Sequence, residues 1–379
     1  MKEGTREHIF LSLVRSSLWG AHQDYCGRLL THGQFQDMMQ LAQEQALVGL
    51  MSQGLMDSGV LLERADALNM YAQQQSIRQR NAAMDEAVVA LCKALTERGI
   101  KMFVFKGQAI GAYYPDPGLR QSGDIDFFVY PEDWGRAVAY FRNERGIVIS
   151  DLHSSKDVSF AIEGIVYEMH NRITLFSYPP HSCYWERVVM KEIMATPYMV
   201  TVAGQQIPTL APTYNALFIF VHIFQHLIAD GIGLRQFCDW AVLLSQLGDM
   251  VDVSLLERHL EGIGLKKAYH GLGAILTCYL GLPEAQFPMP ITKEDRERLA
   301  ALWENMLERG NFGHNVTYKY RNMLAHGLEH LWRMTKQSRE FYYYAPAEAW
   351  WHVPNLVMWW PKKIWRMMAK MIFRNTTAT

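Results

Sequence analysis

Cysteine is scarce and scattered. The 379 residues contain five, Cys26, Cys92, Cys183, Cys238 and Cys278, with no Cys-x-x-Cys pair among them. An odd number at such wide spacing argues against a disulfide framework and against a structural zinc site. Charge of one sign is also lacking: 37 Lys and Arg face 38 Asp and Glu, a net of −1, so no global field favours nucleic acid as a partner. Long apolar runs are missing too. The best stretch, Ala216 to Ala229, carries His222, Gln225 and His226 and falls short of the roughly 18 apolar residues of a spanning helix, so it reads as a buried core helix. The opening residues Met1 to Glu7 lack the apolar centre of a signal peptide, which sets a cytoplasmic protein as the expectation. No internal repeat or low-complexity linker is visible.

What is present is a core-forming composition, 49% hydrophobic, long enough for two or three units. Residues 1–98 read as helical, with Met84, Val88, Leu91 and Leu95 at helical spacing and Gly99 as the stop. Residues 99–210 read as an α+β unit. Lys101 to Phe105 is a short apolar strand, a helix runs from Gly107 through Ala112, and Pro115-Asp116-Pro117-Gly118 is a turn cluster. Asp124 to Val129 is the second strand, and Pro131-Glu132-Asp133 opens an amphipathic helix to about Glu144. Ile147 to Ile149, Val158 to Ile162 and Ile165 to Met169 follow as strands, the last two a hairpin through Glu163-Gly164. This mixture predicts a small mixed sheet with helices on one face. Residues 211–345 return to helices, over Tyr214 to Ala229, Leu234 to Leu247, Ser254 to Gly262, Lys266 to Leu280 and Lys293 to Glu308.

The chemistry concentrates at Lys106-Gly107 and at Gly123-Asp124-Ile125-Asp126. Side chains alternate along a strand, so Asp124 and Asp126 share one face. The apolar neighbours Ile125, Phe127, Phe128 and Val129 mark the strand as buried, where two like charges need a positive partner. Mg²⁺, or Mn²⁺, is the natural one, coordinating carboxylate and phosphate oxygens together. Glu168, on the later apolar strand with His170 on the same face, is the candidate third acid and general base, His170 being placed to orient substrate. Gly107 opens a helix directly after a strand and presents backbone N–H groups to phosphate, with Lys106 and Arg120 adding charge-assisted contacts.

His222 and His226 lie four apart on one helix face but lack the Glu of a His-Glu-x-x-His frame. With Arg235 and Asp239 they are candidates to line the cleft opposite the carboxylates. The last residues, 346–379, form a Trp-rich basic tail: Trp350, Trp351, Trp359, Trp360 and Trp365 accompany Lys362, Lys363, Arg366, Lys370 and Arg374. On a helical wheel Ile364, Met368, Met371 and Ile372 gather opposite the cations, a pattern suited to peripheral membrane contact or to packing on the domain.

These residues resemble a known family. Lys106-Gly107, Tyr114-Pro115-Asp116-Pro117-Gly118-Leu119-Arg120, Gly123-Asp124-Ile125-Asp126, the helix of His222 and His226, and Leu234 to Asp239 are similar to an uncharacterised bacterial nucleotidyltransferase family of the DNA polymerase β superfamily, over about residues 85 to 245. The resemblance implies a polymerase β-like core flanked by helical regions. It implies phosphate binding at Gly107, with Gln108 where the superfamily prefers Ser or Gly, and Gly123 beside the metal-binding Asp124 and Asp126, Glu168 completing the set. It implies transfer of a nucleoside monophosphate from a triphosphate to a hydroxyl or phosphate acceptor, with surface polysaccharide assembly as a setting. Two other classes stay open at this point: an Asp-x-Asp glycosyltransferase using a nucleotide-sugar, and a non-catalytic nucleotide-binding module.

Overall fold

The computed structural model describes residues 5–20, 27–149, 157–229, 231–309 and 323–354. The basic tail from 355 onward lies outside them. Of the Trp-rich segment only a helix over 346–354 is described, and Trp350 on it is exposed.

Helices α1 (Arg6–Trp19), α2 (His32–Glu44) and α3 (Val48–Asp57) lead into the 34-residue α4 (Arg64–Glu97). Met84, Val88, Leu91 and Leu95 are its buried stripe, as the spacing predicts. Gly99 ends it in the left-handed region, φ 63°, while the Ile100 N–H returns to the Leu95 carbonyl.

Strand β1 (Met102–Val104), α5 (Gly107–Gly111), β2 (Asp124–Val129), α6 (Trp134–Ala139), β3 (Asp157–Ile162) and β4 (Ile165–His170) follow. The sheet runs β1-β2-β4-β3, with β2 and β4 parallel and the outer pairs antiparallel. Glu163 and Gly164 both take positive φ, 50° and 78°, the backbone of a two-residue hairpin turn. Ile147 to Ile149 is not a strand. Gly146 at φ 64° ends the preceding helical turn and the Ile147 N–H is spent on Phe141, so the stretch has no strand to pair with among the described residues.

Helices α7 (Pro179–Tyr184) and α8 (Met190–Ala195) then precede a second hairpin, β5 (Pro197–Val202) and β6 (Gln205–Leu210). None of these four was read from the sequence. The hairpin turns through Ala203 and Gly204, both at positive φ, and Thr209 Oγ1 donates to the Val104 carbonyl at 2.8 Å, so β6 lies beside β1. The helices α9 (Pro212–Ala229), α10 (Leu234–Leu247), α11 (Val253–Gly262), α12 (Lys266–Cys278), α13 (Lys293–Arg309) and α14 (Met323–Phe341) follow, ahead of the helix over 346–354. Among the described residues no helix is long and apolar enough to cross a membrane.

Helices cover both faces of the four-stranded sheet, not one. Ile125, Phe127, Val129, Tyr167 and Met169 point toward the stripe of α4 and toward α6. Phe103, Phe105 and Phe128 belong to the larger core built by α9–α13, and α1–α3 join it. Arg15 and Trp19 tie α1 to the end of α12 through the Tyr279 and Leu280 carbonyls, at 2.7 and 2.6 Å. Chain entering and chain leaving the sheet therefore share one core.

Candidate active site

The register of β2 against β4 builds the acidic wall. Asp124 pairs with Val166 and Asp126 with Glu168, so with period-two alternation Asp124, Asp126, Glu168 and His170 all face the larger helical core. The opposite face of the same strands is sealed by apolar packing. Asp126 is 3% exposed and His170 1%, whereas Asp124 and Glu168 are half-buried.

The loop into β2 is held by α4. Asn81 Nδ2 donates to the Gly118 and Arg120 carbonyls at 2.9 and 2.7 Å, Arg80 reaches the Gly123 carbonyl at 2.9 Å, and Arg78 pairs with Asp116. Gly49 on α3 lies so close to the Leu119 carbonyl that any Cβ would collide with it. The aspartates thus sit on a strand whose approach is pinned from two sides.

Lys106 joins β1 to α5 at φ 66°, ψ −154°, and Gly107 follows at φ 47°. The lysine backbone lies in a region that only glycine enters freely, at a cost of about 1–3 kcal/mol. A Cβ on Gly107 would make only an ordinary contact, 3.5 Å from the Asp124 carbonyl oxygen, so glycine is needed there for its φ and not for room. The strained backbone sets Lys106 Nζ 3.2 Å from Asp126 Oδ1 and 5.3 Å from the Phe105 ring centroid.

His170 Nε2 lies 3.0 Å from the same Asp126 oxygen and 3.5 Å from Glu168 Oε2. Burial alone would raise the Asp126 pKa, but Lys106 and the His170 hydrogen bond outweigh it and hold this carboxyl far below the usual range. Burial likewise pulls the His170 imidazole down, and the bonds to Asp126 and Glu168 reverse that and raise it. Asp124 moves up, through burial and then through the neighbouring Asp126 charge, with Lys106 opposing.

A cleft of about 260 Å³ opens over this wall. Lys106, Gly107, Gly123, Asp124, Asp126 and Glu168 line it from the sheet side, and His222, His226, Arg235 and Asp239 from α9 and α10. The two histidines therefore face the carboxylates, as the sequence led us to expect. They touch each other, ring centroids 4.4 Å apart. Arg235 is half-buried, and its Nη1 donates to the Gln121 carbonyl at 2.6 Å.

Four of the expected site residues have partners within the fold. Arg120, expected at phosphate, lines the cleft and directs three of its five N–H donors into the fold: Nε and Nη2 donate to the two Asp239 oxygens at 2.7 and 2.8 Å and Nη1 to Ser122 Oγ at 2.8 Å. Tyr114 Oη donates to the same carboxylate at 2.7 Å, so Asp239 too is tied into the fold while it lines the cleft. Gln108 was expected at phosphate and instead lies outside the cleft lining, because its amide turns to Asp85 on α4 at 3.1 Å. His170 is placed behind Asp126, where it orients a carboxylate and does not line the cleft. Sequence reasoning missed Gln236, Ile110 and Ile219 on the cleft wall. Gln236 adjoins Arg235 in the segment the resemblance covers, and that adjacency was its one signal.

The donor atoms of Asp126, Glu168 and His170 all lie within 4.8 Å of one another, and Asp124 lines the same cleft. The carboxylates suit a hard cation such as Mg²⁺, and the imidazole widens the fit to Mn²⁺.

This is a mixed-sheet α+β fold whose acidic wall faces a partly basic helical one across a cleft. The model of a family described as uncharacterised nucleotidyltransferase matches residues 31–281, and the chain belongs to that family. Among solved structures, a nucleotidyltransferase-like antigenic protein from Paracoccidioides brasiliensis is similar at 13% identity, over 54% of this chain and 95% of that one, with a TM-score of 0.34. No curated protein matches the sequence.

Proposed function

We propose that the protein is a divalent-metal-dependent nucleotidyltransferase that moves a nucleoside monophosphate from a nucleoside triphosphate to a hydroxyl or phosphate acceptor. The observation that supports this most is the register that sets Asp126 opposite Glu168 with Asp124 on the same face, across the cleft from Arg235. Asp124, Asp126 and Glu168, with His170 within reach, would hold the cation, which when bound activates the attacking oxygen and offsets charge on the leaving group.

The residues divide the remaining work. Asp126 stays ionised at neutral pH because Lys106 and His170 stabilise its charge. Glu168, half-buried at the cleft wall, accepts the proton of an acceptor hydroxyl. The acceptor oxygen bonds to the α-phosphorus as the bond to the β-phosphate breaks, and pyrophosphate leaves with the electron pair. Lys106, the Gly107 backbone and Arg235 line the path of the triphosphate. His222, His226 and Gln236 form the wall available to the base or the acceptor.

Incubation with each α-labelled nucleoside triphosphate, Mg²⁺ and cell extract tests the proposal. Label should appear on an acceptor with pyrophosphate released, and Asp126→Asn should lower the rate at least about 10⁴-fold, some 5.5 kcal/mol of barrier, with an unchanged circular dichroism spectrum. Transfer that persists in Asp126→Asn sinks the assignment. Release of a nucleoside diphosphate from a nucleotide-sugar would favour a glycosyltransferase instead.

A further inference from the structure

Lys106 combines two features that ordinary phosphate gripping does not require. Its backbone is held where a side chain is strained, at φ 66°, and its ammonium rests on Asp126 Oδ1, the oxygen that also accepts His170 Nε2. Asp126 is the residue that belongs both to this pair and to the metal-capable cluster with Glu168 and His170. The Lys106 side chain is 19% exposed and lines the cleft, so it has open space on one side and the buried carboxylate on the other.

A divalent cation would bind a carboxylate oxygen at about 2.0–2.1 Å. An ammonium within hydrogen-bond distance of the same carboxylate is then a like charge beside it, with little water to screen the repulsion. The two cations compete for one anion. The lysine stem has four rotatable carbons, so its ammonium can leave Asp126 without moving the strained backbone that anchors it.

We propose that Lys106 is a placeholder cation: it neutralises Asp126 while the site is empty and keeps free metal out, then transfers its ammonium to the triphosphate when metal and nucleotide arrive together. The inference rests on the metal-dependent reading of the site above. It makes binding ordered, with the metal–nucleotide complex as the species admitted. The strained φ then has a purpose, since it aims the side chain at Asp126 from the turn that also presents the Gly107 N–H.

Manganese titration without nucleotide, followed by electron paramagnetic resonance, tests this on the full chain. Lys106→Met keeps the stem and removes the charge, and it should bind Mn²⁺ about tenfold more tightly than the unaltered protein, within the range usual for coupled sites. Lys106→Gly removes the charge and suits the positive φ, so it should show the same gain and secures the test if the Met variant folds poorly. Asp126→Asn added to either should abolish the gain. Mn²⁺ affinity equal to or weaker than that of the unaltered protein, but still dependent on Asp126, overturns the placeholder role and leaves the metal-site reading standing. No Asp126-dependent Mn²⁺ binding in any of the proteins overturns both.

Discussion

Two cation–carboxylate pairs stand in the same cleft and do opposite things. Arg120 and Asp239 meet side-on, Nε and Nη2 donating to the two carboxylate oxygens, with Tyr114 adding a bond to Asp239 and Ser122 accepting one from Nη1, and both residues are buried. Burial alone would lower the Arg120 pKa, but Asp239 outweighs it and raises it, so the guanidinium stays charged. Lys106 and Asp126 meet through one oxygen shared with His170, beside a second acid and an open cleft. A planar fork saturates its partner, whereas a point charge on a flexible stem leaves it available. The first pair joins the loop before β2 to α10, and the second keeps the buried Asp126 carboxylate charged.

The largest effect that would sharpen this contrast is on stability. Arg120→Ala should lower the unfolding free energy by about 3–5 kcal/mol, because Asp239 is left buried without its partner. Replacing Asp239 by Asn in the same chain should recover part of the loss, measured by chemical denaturation. A loss below about 1 kcal/mol would make Arg120 an ordinary surface charge and break the comparison.

Next comes Glu168→Gln, which keeps shape and removes the proposed base. Turnover should fall about 10²-fold or more with the melting temperature held, because Glu168 is half-buried and its hydrogen-bonding shape is preserved. An unchanged rate would move the base elsewhere.

The smallest effect is a pH dependence confined to the open pair. The folded pKa of His170 is raised, so its contribution to stability is full below the unfolded value of about 6.5 and is lost as pH rises through the folded value. In metal-free buffer the unfolding free energy should therefore decline across that interval, and His170→Gln should remove this component of the slope. Asp126 acts in a separate window: its depressed pKa stabilises the fold above about pH 3.9 and that stability is lost as pH falls toward the folded value. A slope unchanged in His170→Gln would show that the imidazole is not what holds Asp126.

Elements with strong periodicity were legible in the sequence. Leu234 to Leu247 is α10 with no change of boundary, and the Glu163-Gly164 hairpin lies where its turn residues put it. The β5–β6 hairpin was not legible, because Pro197 and Pro208 sit inside its strands and proline in a run reads as a break. In a two-stranded sheet both strands are edge strands, where proline is tolerated. Helix α14 went unassigned because its Trp and Tyr neighbourhood masked the period. In the cleft, the shared face of Asp124 and Asp126 was legible from alternation along one strand, while the register that brings Glu168 beside them and the partners of Arg120 and Gln108 were not.

The sequence alone determined that Asp124 and Asp126 share a face, since period-two alternation is a property of a strand whatever packs on it, whereas Glu168 joins them only through the pairing of β2 with β4. It also determined that Gly107 follows a strand and opens a helix. Only the tertiary structure decided which charges are spent. Arg120 is claimed by a residue 119 positions away on α10, and Gln108 by α4, pairings that depend on how helices dock and leave no local pattern. Burial then fixes the outcome, because a charged group withdrawn from water must take whatever partner the fold brings within reach.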